Sequence, residues 1–384
     1  VLDFVGQYRA DFRFDRLLSS LTGLSRRELL SGVEHGFGSL PPGCHIHLQR
    51  QTREQVLHGL RTLTGQNWLR LKTELQTYAA LRGRTSVSLS SFLHEQALEL
   101  GDVYRAATGS GRSGWTTLKR EAGLLVTEPG PEEQYFSRRF ADLLHVDDTR
   151  RLDVFEAVAR DLPSAKRAAA ESRVAVQMLA YQIDGRHIQK GSANAFVERL
   201  HAQSEIAAEL RELTSLLQAK ASLPTTPVPG VEDSPLVLHG GYGIREILTS
   251  LGWLTAERRT PFQAGVLALP VRKTELLFVT LDKSEGYHDS IAYHDYAISA
   301  ERFHWQSQNS AGPDTAAGRR YLRGADEGWQ FQLFVRSRKG DAYRACGPVL
   351  LESWEGGRPM NIVWRLARPL SAKLFREFSV LRGI

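Results

Sequence analysis

Between Ala221 and Asp233 the hydrophobic pattern of this chain changes period, and that change constrains the fold more than any other feature. Before it, apolar residues recur every three or four positions. Leu200, Ile206, Leu210, Leu213, Leu216 and Leu217 form one such stripe, which reads as a helix over 194–219. Helices also read over 25–33, 52–63, 68–81, 131–146, 149–162 and 166–183, the first opened by a Ser25/Glu28 capping box. After it, apolar residues alternate. Trp329, Phe331, Leu333 and Val335, and then Met360, Ile362, Trp364 and Leu366, each give a strand one oily face. Strands read over 264–269, 275–281, 303–309, 329–335, 343–351 and 360–366, with helices over 243–251 and 372–381. The stretch between is rich in proline and small residues and reads as a linker. The expected architecture is therefore multidomain: an all-helical region over 1–220, a linker over 221–234, and a compact β-barrel-like α+β domain with flanking helices over 235–384.

With 384 residues and 42% hydrophobic content, the chain can bury more than one core. No window approaches 18 uninterrupted apolar residues, so no membrane span is expected. The start shows no basic stretch followed by an apolar run, so no signal peptide is expected. Cys44 and Cys346 lie far apart, without metal-ligand spacing, which suits a reducing cytoplasm. Formal charge is +6, and its position matters: residues 235–384 hold 20 Lys+Arg against 15 Asp+Glu, or +5. A polyanionic partner fits that half best.

Catalytic signatures are missing. There is no Gly-x-Ser-x-Gly, no His-Glu-x-x-His, no Walker loop and no dinucleotide fingerprint. Asp282, Asp289 and Asp295 could hold Mg²⁺ beside Lys283, yet no Asp…Glu-x-Lys pattern follows them. The chain reads as a binder without a cofactor of its own.

The binding chemistry gathers around one strand. In Phe303-His304-Trp305-Gln306-Ser307-Gln308, a period of two puts Phe303, Trp305 and Ser307 on one face. His304, Gln306 and Gln308 fall on the other, where amide donor and acceptor sit side by side as needed to read a base edge. An ordinary half-buried strand facing water shares this pattern. Asp282 and Lys283 end the strand over 275–281, and Tyr293, Asp295 and Tyr296 crowd the segment before the central strand. A polar loop over 310–318 follows, then Arg319, Arg320, Tyr321 and Arg323. Rings that stack a base (Tyr293, Tyr296, Trp305 and Tyr321), amides and an acid that read its edge, and arginines that hold phosphates are thus close in sequence. Core packing of Tyr293 and Tyr296 and a solvated Arg319/Arg320/Arg323 loop stand as the plainer alternatives.

Several strings are specific. Val1-Leu2-Asp3-Phe4-Val5-Gly6-Gln7, Phe12-Arg13-Phe14-Asp15 and Leu40-Pro41-Pro42-Gly43-Cys44 resemble the segment after the helicase core in a bacterial family. Phe278-Val279-Thr280-Leu281-Asp282-Lys283-Ser284-Glu285, Tyr293-His294-Asp295-Tyr296-Ala297-Ile298-Ser299, Phe303-His304-Trp305-Gln306-Ser307-Gln308, Leu333-Phe334-Val335-Arg336 and Arg358-Pro359-Met360 resemble its C-terminal module. Members join a phospholipase-D-type nuclease and a superfamily 2 helicase to that module, as in SauUSI-type type IV restriction enzymes. The resemblance implies a helical coupler over 1–220 and an SRA/PUA-like reader of 5-methyl- or 5-hydroxymethylcytosine in double-stranded DNA over 235–384, acting by base flipping. It implies a bacterial cytoplasmic protein, with ATP and Mg²⁺ used only by nuclease and helicase parts outside these residues. A reader of another DNA mark, such as a sulfur-modified backbone, and a regulatory module of a helicase remain the other readings.

Overall fold

Alternating segments pair into one sheet, and the helical stripes of the second unit pack mainly on one another. The computed structural model describes residues 18, 22, 26–35, 37, 46, 48–49, 52–54, 56–57, 68–83, 87–96, 98–105, 112–185, 193–255, 257–258, 265–282 and 295–379. Two compact units divide at Glu128/Pro129. In the first, Val1–Glu128, the described helices are α1 (Arg26–His35), α2 (Trp68–Arg82), α3 (Leu89–Gln96), α4 (Leu100–Arg105) and α5 (Trp115–Glu121). Their aromatic rings pack directly: Phe92 meets Tyr78 and stacks on Trp115. Trp68 Nε1 donates to Glu121 at 2.8 Å, tying α2 to α5.

The second unit, Pro129–Ile384, opens with helices α6 (Glu133–Arg139), α7 (Thr149–Arg160), α8 (Leu162–Glu171), α9 (Arg173–Ile183), α10 (Ala193–His201) and α11 (Ser204–Lys220). Asp148 caps α7 by accepting from Arg151 N at 2.9 Å, and Asp161 caps α8 from Ser164 N at 2.7 Å. α12 (Ile244–Ser250) packs on α9. Eight strands follow the order β2-β3-β6-β7-β8-β5-β4, with β1 on β7. They are β1 (Gly241–Tyr242), β2 (Val266–Leu269), β3 (Thr274–Asp282), β4 (Tyr296–Ser299), β5 (Arg302–Gln306), β6 (Gln330–Arg338), β7 (Tyr343–Gly356) and β8 (Met360–Leu366). Among the described strands only β3 and β6 pair in parallel, so the sheet is mixed.

The expected barrel does not close. Among the described residues β2 and β4 are the two ends of an open sheet, each four residues long, and β4 carries a register shift between Ala297 and Ser299. The inner face is the core. Phe303, Trp305, Phe331, Leu333, Ile362 and Trp364 are covered by Tyr321 of α13 (Ala316–Arg323) and by Leu374 and Phe378 of α14 (Ala372–Ser379). Thr315 caps α13 from Gly318 N at 3.0 Å. Gly318 must lack a side chain, because the Gly312 carbonyl oxygen stands 1.9 Å from where its Cβ would be.

The stretch read as a linker is built into the second unit. Leu238 N donates to Thr226 O at 2.8 Å and Val228 N to Leu236 O at 3.1 Å. Gln332 of β6 donates to Pro229 O at 2.8 Å. Val228 and Val231 are fully buried, so this strap gains packing that an open linker lacks. The unit boundary accordingly lies at Glu128/Pro129, not within 221–234.

A buried ionic centre joins α7 to the sheet. Arg151, with no exposed surface, donates to Asp148 at 2.6 Å, Glu246 at 2.8 Å and Gly241 O at 2.7 Å, and lies 3.9 Å above the Tyr242 ring. Burial pushes the Glu246 carboxyl up. Arg151, His145 and the Gly243 N–H overrule that and hold it down at about 2. Asp147 pairs with Arg344 of β7 and accepts from Gly241 N at 2.9 Å.

Candidate nucleic-acid interface

Strand pairing fixes what the outer face of β7, β8, β5 and β4 displays. In one row stand Leu350, Arg365, Arg302 and Ser299; in the next, Ser353, Val363, His304 and Tyr296. The third row holds Glu355, Asn361 and Gln306, continued by Asp295 just before β4. Leu350, Ser353, Glu355, Arg302 and Arg365 are exposed, and Tyr296, His304, Gln306, Asn361 and Val363 are half-buried. The face is therefore graded: cations, then rings, then amides and acids.

Each row has defined internal contacts. The Tyr296 and His304 rings are stacked, with centroids 5.0 Å apart and planes 15° apart. Gln306 Nε2 donates to Asn361 Oδ1 at 2.8 Å across the β5–β8 pair. That bond leaves Gln306 Oε1 as an acceptor and Asn361 Nδ2 as a donor. Asp295 Oδ1 accepts from Gln306 N at 2.8 Å, so this carboxylate holds the start of β4 against the end of β5. Arg302 pairs with Glu352 at 2.8 Å in an exposed contact that a phosphate could exchange into.

The residues picked from sequence divide sharply. Asp295, Tyr296, His304 and Gln306 come together on this face. Trp305 and Tyr321 do not reach it: both are buried, with rings 5.3 Å apart in an edge contact. They are core residues, because the alternation that turns His304 outward turns Trp305 inward. Gln308 lies beyond the strand, which ends at Gln306 rather than 309. Ser307 ends it: its Oγ accepts from Met360 N and donates to Ala311 O, both at 2.9 Å. Asp282 closes β3, opposite Arg338 and separated from β4 by four strands in the sheet order. Lys283 and Tyr293 lie outside the described residues.

The arginines of α13 also divide. Arg320 makes two bonds to the buried Glu275, at 2.6 and 3.0 Å, and lies 5.1 Å from the Trp329 ring. It braces α13 on β3 instead of waiting for phosphate. Arg319 is exposed and donates to Asp314 O at 2.5 Å.

Asn361 and Arg365 escaped the sequence reading. The oily Met360/Ile362/Trp364/Leu366 alternation already placed them on the opposite face. Nothing local revealed that β8 would lie beside β5. Among the described residues no group of His, Cys, Asp or Glu could hold a metal ion, and no helix is long and apolar enough to cross a membrane.

Residues 236–378 match a family described as a domain of unknown function, DUF3427. The match takes in the whole eight-stranded sheet. No curated protein matches the chain.

Proposed function

We propose that the DUF3427 domain reads 5-methyl- or 5-hydroxymethylcytosine in DNA on the outer face of β4, β5 and β8. In this reading it is the SRA/PUA-like target-recognition part of an ATP-dependent, SauUSI-type type IV restriction enzyme. The chain itself binds and couples; nuclease and helicase chemistry, with ATP and Mg²⁺, belongs to other parts of that protein. One observation carries the proposal: a stacked Tyr296/His304 pair stands beside an amide pair that offers one acceptor and one donor.

Cytosine presents an N4 donor next to its N3 and O2 acceptors, which complements Gln306 Oε1 and Asn361 Nδ2. Taking a base out of the duplex costs roughly a few kcal/mol. Stacking on one ring returns about 1–3 kcal/mol. Each neutral edge bond adds about 0.5–1.5 kcal/mol net. Recognition is thus close to break-even before phosphate contacts are counted. Burying one methyl group adds only about 0.8 kcal/mol, a several-fold preference, so the shape around cytosine C5 must supply the rest.

The test is a competition assay with otherwise identical methylated and unmethylated DNA. Gln306→Ala with Asn361→Ala should reduce preference for the methylated probe while leaving thermal unfolding within a few degrees. Equal affinity of the unaltered protein for both probes would remove the modified-base reading. No binding to either would favour a regulatory module.

A further inference from the structure

Resting on the reading of the outer face as a DNA-binding surface, we infer that Arg302 and Arg365 form a phosphodiester site whose place the Glu352 carboxylate holds in the free protein. The site lies one row away from Tyr296 and His304 and asks nothing of those rings. Pairing of β5 with β8 sets the two arginines directly opposite each other. Side chains so placed start roughly 4.5–5.5 Å apart, and like charges there repel and weaken the strand pair. Their neighbours in the row do nothing to relieve them: Leu350 flanks Arg365, and Ser299 flanks Arg302. Both arginines are exposed, and the Arg302 side chain keeps 55% of its surface. The Arg365 side chain has no ion pair or hydrogen-bond partner among the described residues.

The acid that answers this pair arrives by way of a bulge. Leu351 and Ser353 of β7 face consecutive residues of β8, Trp364 and Val363, so Glu352 is an extra residue with none opposite. A bulge of this kind re-aims the side chain it carries. Glu352 Oε1 reaches past β8 to Arg302 Nε at 2.8 Å. One carboxylate thus serves two guanidinium groups, and one positive charge stays uncompensated. Carboxylate and phosphate oxygens accept from the same guanidinium donors, so the two compete for Arg302. An exposed pair of this sort is weak, and a backbone phosphate that also gains Arg365 displaces it. Glu301, next to Arg302 in the chain, is exposed and pairs with neither arginine among the described residues. The +5 formal charge over 235–384 favours the same polyanion.

The experiment measures affinity of the full chain for methylated and unmethylated duplexes over a range of salt, with thermal unfolding confirming that each variant folds. Arg302→Ala and Arg365→Ala should weaken binding to both duplexes alike, each lowering the salt slope by up to about 0.9, the value of one phosphate contact. Glu352→Gln should tighten binding by about two- to fivefold, and combination with Arg302→Ala should erase that gain. Glu301→Gln makes the same change of charge one residue from Arg302 and should gain less. Equal gains from the two glutamine variants, or an unchanged salt slope in both arginine variants, would overturn the inference. Stabilisation by inorganic phosphate at matched ionic strength, lost in both arginine variants while DNA affinity stays put, would give the row to a free anion instead. Equal affinity for the two duplexes, with the arginine and Glu352 effects intact, would sink modified-base reading and leave this site standing. A methyl preference without those effects would do the reverse, and no binding to either duplex would remove both.

Discussion

Tyr321 carries its hydroxyl into the core with no hydrogen-bond partner among the described residues, and its ring packs on Trp305 and Phe331. Burial, reinforced by Glu275 and opposed by Arg320, pushes that hydroxyl's pKa up, as expected for a group kept neutral. Tyr321→Phe should therefore leave stability equal or raise it by up to about 1 kcal/mol, since an unpaired buried hydroxyl is a cost. Denaturant unfolding checks this, and DNA binding should not change. Trp305→Ala should cost about 3–5 kcal/mol through the cavity it leaves. Residue type made both look like stacking platforms. Alternation, equally visible in the sequence, already turned Trp305 away from His304 and Gln306. Asn361 shows the converse: its side of β8 was legible, but its contact with Gln306 depends on a strand pairing set about 55 residues away.

Two ionic contacts do mechanical work between elements. Arg320→Ala would strand the buried Glu275 carboxylate and loosen α13 from β3. We expect about 3–5 kcal/mol of destabilisation, read by denaturant unfolding, with little direct effect on the outer face. Arg151, Asp148 and Glu246 behave alike where α7 meets β1 and α12. Glu246 titrates at about 2 in the folded protein, below its ordinary 4.5. Because the folded value is depressed, its stabilising contribution is present above about pH 4.5 and lost as pH falls towards 2. Unfolding followed between pH 6 and 2 should show that loss in the unaltered protein and a flatter profile in Glu246→Gln. Neither network had a local signature, since each joins residues far apart in the chain. The start of α13 was likewise read as part of a polar loop over 310–318, although Ala316–Arg323 is amphipathic, with Ala317, Tyr321 and Leu322 on the core side. At eight residues it is too short for its period to stand out, and its Thr315 cap fixes where it begins.

Across the whole molecule, period reading served the sheet well. β8 spans the residues its alternation marks, β3 runs one residue past its predicted segment at each end, and β6 starts one residue later and ends three later than predicted. β1 and β4, two and four residues long, are too short to show a period. The helical part and the sheet part were also told apart, but the boundary was not. Proline-rich composition signals an absence of helix, and here that absence is a strap held by backbone bonds and buried valines. A fragment beginning at Pro129 should therefore unfold in one cooperative transition. One beginning at Pro235 should be markedly less stable by the same denaturant assay, having lost Asp147, Arg151 and the strap. The central claim is that a DNA base meets Tyr296 and His304 on the outer face of β4 and β5. Photocross-linking of a 5-iodocytosine oligonucleotide, followed by peptide mapping, tests this most directly. The predicted cross-links fall on Tyr296 or His304 and disappear with Gln306→Ala plus Asn361→Ala; cross-links confined to the helices of residues 133–220 would contradict it.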